Sequence, residues 1–295
     1  MSSTELQVIV VAASSDIGRA AAEALLKARA AVVVNARRRD KLEEIIKDYP
    51  KTAFAFPADA SKVENLVELV KASKQFFGEN KPITSIVWAL TGKGFGLFRN
   101  LGANKTISDT NEQMEMNVYR LMNLIELVKD DLIVSSKTTR GIASVTSVSS
   151  VVSKDQIFGG VSYGIGKAAL DYLIGSLALE FGSLGVRFNT VNPAVIETSF
   201  FDFLGDKKED LLKDSCFRHV FGRNGKPEEV GMVIEFLAST KASFITGQHI
   251  RVDGGNSLLS SVVDVFSPII ADAKNDCYFP ISRKWTEAGY FATKS

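Results

Sequence analysis

The sequence predicts an α/β fold of three layers: a doubly wound parallel sheet with helices on both faces, followed by a C-terminal tail. Three observations predict it. Short, almost wholly apolar runs alternate with helix-like segments through most of the 295 residues, the order that a parallel sheet requires. The runs are too apolar for a sheet with one wet face and suit strands covered on both sides. No internal repeat, low-complexity segment or linker breaks the alternation before residue 256.

The elements follow in order. Val8 to Ala13 is the first strand, and Ile17 to Arg29 is an Ala-rich helix with Ile17, Ala21, Ala24 and Leu25 on one face. Ala31 to Val34 is the second strand. Asp40-x-x-Glu43 reads as a capping box opening a helix to about Tyr49, where Pro50 stops it. Ala53 to Phe56 is the third strand, and Ser61-x-x-Glu64 reads as a second capping box for a helix ending near Phe77, before Gly78. Ile83 to Leu90 is the fourth strand, residues 91–105 a Gly-rich loop, and Ser108 to Asp130 a long helix. Ile142 to Thr146 is the fifth strand, Val161 to Phe181 a strong helix and Val186 to Val191 the sixth strand. Pro227 opens a helix ending near Ser239, and Gln248 to Val252 is the last strand. One domain, 1–256, is expected. Residues 257–295 carry apolar patches without clear period (Val262, Val263, Phe266, Ile269, Tyr278, Phe279) and are expected to pack on the core or on a neighbouring subunit.

Composition removes several function classes. Lys and Arg number 35 against 34 Asp and Glu, a net charge of +1, which argues against nucleic acid as a partner. With 45% hydrophobic and 23% charged residues, the chain has the makeup of a folded domain rather than a disordered one. Cys216 and Cys277 do not make a disulfide framework. His219 and His249 stand far apart with no cluster of ligands, so no metal is expected. The N-terminus lacks the basic region of a secretory signal, and no apolar run reaches the roughly 18 residues that span a bilayer. A cytoplasmic protein with no membrane span is the expectation.

In doubly wound sheets, ligands bind at the carboxyl ends of the strands, near the first strand-to-helix turn. That turn here is Ala12-Ala-Ser-Ser-Asp-Ile-Gly18. Ala12, Ala13, Ser14, Ser15 and Gly18 are small enough for a backbone to approach a pyrophosphate at a helix N-terminus. Asp16 is not small, and its charge suits the first turn of the helix. The second strand ends in Asn35-Ala-Arg-Arg-Arg39, where an acid would hold the ribose hydroxyls of NAD. No acid appears before Asp40. Arg37 or Arg38 instead suits a ribose 2′-phosphate, so NADP(H) is favoured over NAD(H); a solvated basic cluster is the plainer alternative. The net charge of +1 thus hides a local cluster expected to meet one phosphate of a small molecule.

Tyr163-Gly-Ile-Gly-Lys167 lies at the start of the Val161 helix, and its i, i+4 spacing puts the phenol and the ammonium on one face. A free tyrosine has a pKa of about 10, and a lysine cation one turn away is expected to lower it. Tyr163 is then a candidate proton donor and acceptor for a carbonyl/alcohol pair.

Over about residues 6–256 the chain resembles the short-chain dehydrogenase/reductase family, whose fold is of Rossmann type. Val10 to Gly18 resembles the family's Gly-rich cofactor loop, Asp59 its adenine-contacting acid and Asn117 its helix asparagine. Val145-Thr-Ser-Val-Ser-Ser150 resembles its catalytic serine segment, with Ser147 the best match. Ser162 to Leu170 resembles its active-site helix, Val186 to Thr198 the segment with N-x-V-x-P-G, and Ile245 to Gly255 its closing strand. The resemblance implies that Tyr163 exchanges a proton with the substrate oxygen, Lys167 lowers its pKa and binds the nicotinamide ribose, Ser147 polarises the oxygen, and Asn117 holds a relay water. It implies cofactor contacts at Ala12, Ser14, Ser15, Asp16, Ile17, Gly18, Arg37, Arg38, Asp59, Ala60, Ala89, Leu90, Tyr163, Lys167, Pro193, Val195, Ile196 and Thr198. It also implies a lid at about 198–220, a substrate pocket lined by Ser149, Phe200 and Phe203, and a homodimer or homotetramer.

The departures are specific. Ala12 and Asp16 replace two of the loop glycines, Trp88-Ala-Leu-Thr-Gly92 replaces N-N-A-G, and Ala194 replaces the Gly after Pro193. About three extra residues separate Ser147 from Tyr163, so Ser149 or Ser150 are alternatives for the serine. Two rival functions follow from the sequence. Gly160-Val-Ser-Tyr-Gly164 fits the G-x-S-x-G of a hydrolase elbow, but Asp155 to Gly159 makes a poor strand before it. The altered glycine loop suits an isomerase, a cyclase or a cofactor-binding protein without net redox turnover. Gly92-Lys-Gly-Phe-Gly96, which looks like a phosphate loop, reads better as a rim of the active site.

Overall fold

A computed structural model describes residues 6–92 and 94–259. Seven strands form one sheet in the order β3-β2-β1-β4-β5-β6-β7. They are β1 (Gln7–Val11), β2 (Ala31–Ala36), β3 (Ala53–Pro57), β4 (Ser85–Trp88), β5 (Ser144–Val148), β6 (Arg187–Pro193) and β7 (His249–Val252). The pairs from β3 through to β6 are all parallel, with Val8 opposite Val32 on one side and Ser85 on the other. β1, β4, β5 and β6 are buried along their whole length, as strands covered on both faces are.

The helices are α1 (Asp16–Lys27), α2 (Arg39–Ile46), α3 (Val63–Phe77), α4 (Phe98–Met114), α5 (Arg120–Thr138), α6 (Val161–Gly182), α7 (Lys207–Cys216) and α8 (Pro227–Ala238). α1 packs on α8; α3 packs on α5, and α4 on α6. The main core joins Ile9, Val11, Val33, Ile86, Trp88 and Val145 of the sheet to Leu66, Leu69, Leu121, Leu124, Leu170 and Ile174 of the helices. The doubly wound prediction is therefore correct, and most elements begin and end within two or three residues of their expected limits.

Three local expectations fail. Neither capping box forms: Arg38 and Lys62 occupy the N-cap positions of α2 and α3 without a side-chain hydrogen bond to the cap. Asp40 lies inside the first turn instead, and Ser61 gives its backbone N–H to Asp59 Oδ1 at 3.0 Å. The Gly-rich loop is shorter than expected because α4 starts at Phe98. It kinks at Gly102, whose φ of 74° is left-handed, so the glycine that signalled a loop breaks a helix rather than preceding one. The expected single helix to Asp130 is two helices joined by a π turn, Glu115–Tyr119.

The described residues divide into two compact units, residues 6–193 with 227–251, and residues 194–226 with 252–259. The sheet and seven of its helices belong to the first. The expected lid falls in the second, as a 3₁₀ turn (Ser199–Leu204) followed by α7. The tail from 260 onward, Cys277 included, lies outside the described residues. Among the described residues, no helix is long and apolar enough to cross a membrane.

Candidate active site

The strand order reverses between β1 and β4, the switch point where doubly wound sheets open a crevice at their carboxyl ends. The turn leaving β1 sits there. Ser15 caps α1, accepting a hydrogen bond from Gly18 N at 3.2 Å, while its hydroxyl donates to Ala12 O at 2.7 Å. A Cβ on Gly18 would stand 2.4 Å from Ala12 O and 2.8 Å from Ser15 Oγ, so only glycine fits. Ile17 and Asp16 open the helix, Asp16 in its first turn.

Ala12, in place of the first loop glycine, holds a φ of 61°. A Cβ in that left-handed region costs roughly 1–2 kcal/mol, partly offset by the greater chain entropy of an unfolded glycine. Ala12→Gly is therefore expected to stabilise the protein by roughly 0.5–1 kcal/mol, read as a rise of a few degrees in Tm by calorimetry. An unchanged or lower Tm would contradict the strain.

At the end of β2, Arg37 and Arg38 are exposed, and Arg38 Nη2 donates to Ser14 O at 2.7 Å, tying the two loops together. Asp59 follows β3. Burial pushes its carboxyl up, but hydrogen bonds from Ser61 and the nearby Arg37 charge hold it below the usual range. Ala60 is buried, and Ala89 N donates to Val11 O at 3.2 Å where β4 leaves the sheet. The partly buried Leu90 packs its side chain into the core.

The candidate catalytic groups come from β5, α6 and the π turn. Tyr163 and Lys167 share a face of α6, and Lys167 Nζ lies 5.7 Å from the centre of the Tyr163 ring. Lys167 is only 2% exposed. It donates to Asn117 Oδ1 and to Val148 O, each at 2.8 Å. Asn117 in turn donates to Gln113 O at 2.9 Å and Gln113 Oε1 at 2.8 Å. The π turn swings Asn117 into this position, and the Trp88 indole N–H holds it by donating to Met116 O at 3.1 Å. Trp88, the departure from N-N-A-G, thus supports the asparagine from below. Gly166 lets α6 approach, since a Cβ there would stand 2.6 Å from Gln113 Cβ.

Two sequence expectations need correction here. Ser147 lies in the middle of β5, fully buried, and its hydroxyl meets no hydrogen-bond partner. Ser150, just past the strand, shares a hydrogen bond with the Tyr163 hydroxyl. It is also fixed by Val152 N, which donates to its Oγ at 3.3 Å, and by Pro193 O, which accepts from it at 3.4 Å. The three surplus residues between Ser147 and Tyr163 were the signal. Ser149 points elsewhere, its hydroxyl donating to Lys167 O at 3.4 Å.

The second correction concerns charge. Burial pushes the Tyr163 phenol up to about 12, with the Ser150 hydrogen bond pulling the other way. Burial also pushes Lys167 down to about 7, countered by the Asp171 carboxylate. Desolvation outweighs the Ser150 hydrogen bond, so Tyr163 is protonated at neutral pH.

The rim reading of residues 92–96 is supported by Phe95, whose ring centre is 4.8 Å from that of Tyr163; Lys93 lies outside the described residues. No strand precedes Ser162, which is buried and donates to Thr106 O at 3.1 Å, so the hydrolase elbow is not built. In the second unit, Ile196 bridges Gly225, and Val195 O accepts from Gly225 N at 3.1 Å. Thr198 donates to Ile196 O at 3.2 Å, and the Phe200 ring meets Phe201 and Phe203 edge-on.

Comparison with known proteins agrees with this geometry. Residues 11–257 match the family model described as enoyl-(acyl carrier protein) reductase. A tropinone reductase homolog of Arabidopsis thaliana is 30% identical, over 84% of this chain and 90% of its own. The 3-oxoacyl-[acyl-carrier-protein] reductase of Thermotoga maritima is 27% identical, over 84% of this chain and 96% of its own. A short-chain dehydrogenase/reductase of unknown function from Caenorhabditis elegans, solved with cofactor, superposes with a TM-score of 0.78 at 27% identity, covering 88% of this chain and 97% of the other. With its motifs in order along one parallel sheet, the chain belongs to the short-chain dehydrogenase/reductase family of oxidoreductases.

Proposed function

We propose that the protein is an NADP(H)-dependent carbonyl reductase, interconverting a ketone and a secondary alcohol. The observation that carries this reading is the continuous chain of contacts from Asn117 through Lys167 to the Tyr163–Ser150 pair. The residues present fit a nicotinamide dinucleotide. Gly18 closes the turn tightly against Ala12 and Ser15 at the N-terminus of α1, a helix end that suits a pyrophosphate, and the exposed Arg37 and Arg38 at the end of β2 suit a 2′-phosphate. When bound, the cofactor supplies or accepts the hydride.

The chain's own residues manage the proton. Tyr163, protonated at neutral pH, donates its phenolic proton to the carbonyl oxygen of a ketone. Ser150 hydrogen-bonds the same oxygen and stabilises the charge that grows on it. Lys167, held forward by Asn117 and Val148 O, stabilises the phenolate left behind and allows reprotonation. Ile165, Tyr172 and Leu179 form an exposed apolar stripe at seven-residue intervals along α6, which suits assembly as a homodimer or homotetramer.

Cofactor choice is tested by binding titrations. NADPH is expected to bind more tightly than NADH. Replacing both Arg37 and Arg38 by Ala is expected to weaken NADPH roughly ten- to a hundredfold, as loss of charge-assisted hydrogen bonds does, while NADH changes by about threefold or less. Equal losses for both cofactors would refute the 2′-phosphate assignment. NADPH consumption across a panel of ketones tests the reaction itself.

A further inference from the structure

We infer that Asp171 is a positioning residue of the active site, keeping Lys167 in its ammonium form and holding the Ser150 backbone in place. The inference rests on the proposed roles of Lys167 and Ser150. Tyr163, Lys167 and Asp171 follow one another at four-residue intervals along one face of α6. Asp171 is 5% exposed, and a carboxylate in such a place needs compensation. Its Oδ2 accepts from Asn192 Nδ2 at 2.9 Å. Its Oδ1 accepts no hydrogen bond.

Lys167, one turn earlier on α6, and the imidazole of His249 on β7 are the basic groups that face the carboxylate. Asn192 on β6 and Ser153, which shares the Asn192 amide at 3.1 Å, are neutral. His249 Nδ1 on β7 is 3.7 Å from Asp171 Oδ1, but the same nitrogen is engaged with Thr190 Oγ1 at 2.9 Å. Arg251, further along β7, is taken by both oxygens of Asp155 at 2.7 and 3.1 Å. Burial alone drives Lys167 toward its neutral form, and the Asp171 charge opposes this. A second path runs through Asn192, whose Nδ2 also donates to Ser150 O at 3.0 Å while its Oδ1 accepts from Thr190 at 2.7 Å. One buried carboxylate therefore bears on both partners of Tyr163, the lysine by charge and the serine by an oriented amide.

Asp171→Asn keeps the shape and an acceptor for Asn192 but removes the charge. In protein carrying ¹³C-labelled lysine, with Lys167→Met to assign the resonance, the Lys167 titration midpoint is expected to fall by roughly 1–2 pH units. The alkaline limb of kcat/KM for ketone reduction is expected to move down with it. At a fixed pH on that limb, the rate should drop about tenfold for each pH unit by which the midpoint falls. An unmoved lysine titration overturns the inference, and so does a moved titration with an unmoved pH profile. If Asp171→Asn does not fold, the wild-type protein decides: its Asp171 carboxyl ¹³C resonance is expected to step at the Lys167 midpoint, and no step overturns the inference. The titrations need no turnover. Failure to reduce any ketone would sink the proposed activity and leave the titrations to judge Asp171.

Discussion

Tyr163→Phe is expected to lower kcat for carbonyl reduction by about 10²–10⁴-fold, the range for loss of a general acid. NADPH affinity should change by about threefold or less, because the ring remains and only the hydroxyl goes. The phenol sits with Lys167 below it and Ser150 beside it, and burial holds its pKa at about 12. It is therefore loaded with its proton at neutral pH, the state that reduction needs. Alcohol oxidation needs the phenolate, so it should gain more than reduction as the pH rises. Steady-state rates with a responsive ketone, alongside a cofactor titration, check the variant. Full activity in Tyr163→Phe would remove the tyrosine from the proton transfer. Equal loss of turnover and of NADPH binding would point to a structural role for the ring.

The paired serine variants separate two residues that lie three positions apart. Ser150→Ala is expected to reduce kcat by about 10²-fold or more, as loss of one donor to a developing oxyanion does. Ser147→Ala is expected to leave kcat within about threefold. It should also leave stability unchanged or raise it by up to about 1 kcal/mol, because it removes a buried hydroxyl that has no partner. Kinetics and thermal denaturation of the two proteins give the answer. A large loss of rate in Ser147→Ala with little in Ser150→Ala would reverse the assignment.

How legible the site was depends on where each residue gets its position. Tyr163 and Lys167 are placed by the pitch of a single helix, which is a local property, and their spacing alone put them on one face. Gly18 was legible for the same reason, since the turn it closes is made with Ala12 and Ser15, close neighbours in sequence. Ser150 was harder to pick because Ser147, Ser149 and Ser150 offer the same hydroxyl within four positions. Only the end of β5 and the packing of α6 decide which one meets Tyr163. The capping boxes misled because a cap depends on where the helix starts, and packing started α2 and α3 one or two residues away from the motif. The support from Trp88 and Gln113, and the carboxylate of Asp171, carry no sequence motif at all. They act across separations of 28 residues from Trp88 to Met116 and 21 from Asp171 to Asn192.

The sequence by itself determined the alternation of strands and helices, the parallel sheet it implies, and the Tyr163–Lys167 pair at the head of α6. Those features rest on periodicity and on short spacings, which the chain carries wherever it folds. The tertiary structure alone decided which serine meets the tyrosine, how the π turn delivers Asn117 to Lys167, and the direction in which burial moves the pKa of both catalytic groups. The direction of the tyrosine shift was the largest reversal. Spacing says that a lysine cation lies near a phenol, but burial sets the cost of charging either one, and burial exists only once β5, β6 and α6 have closed around them.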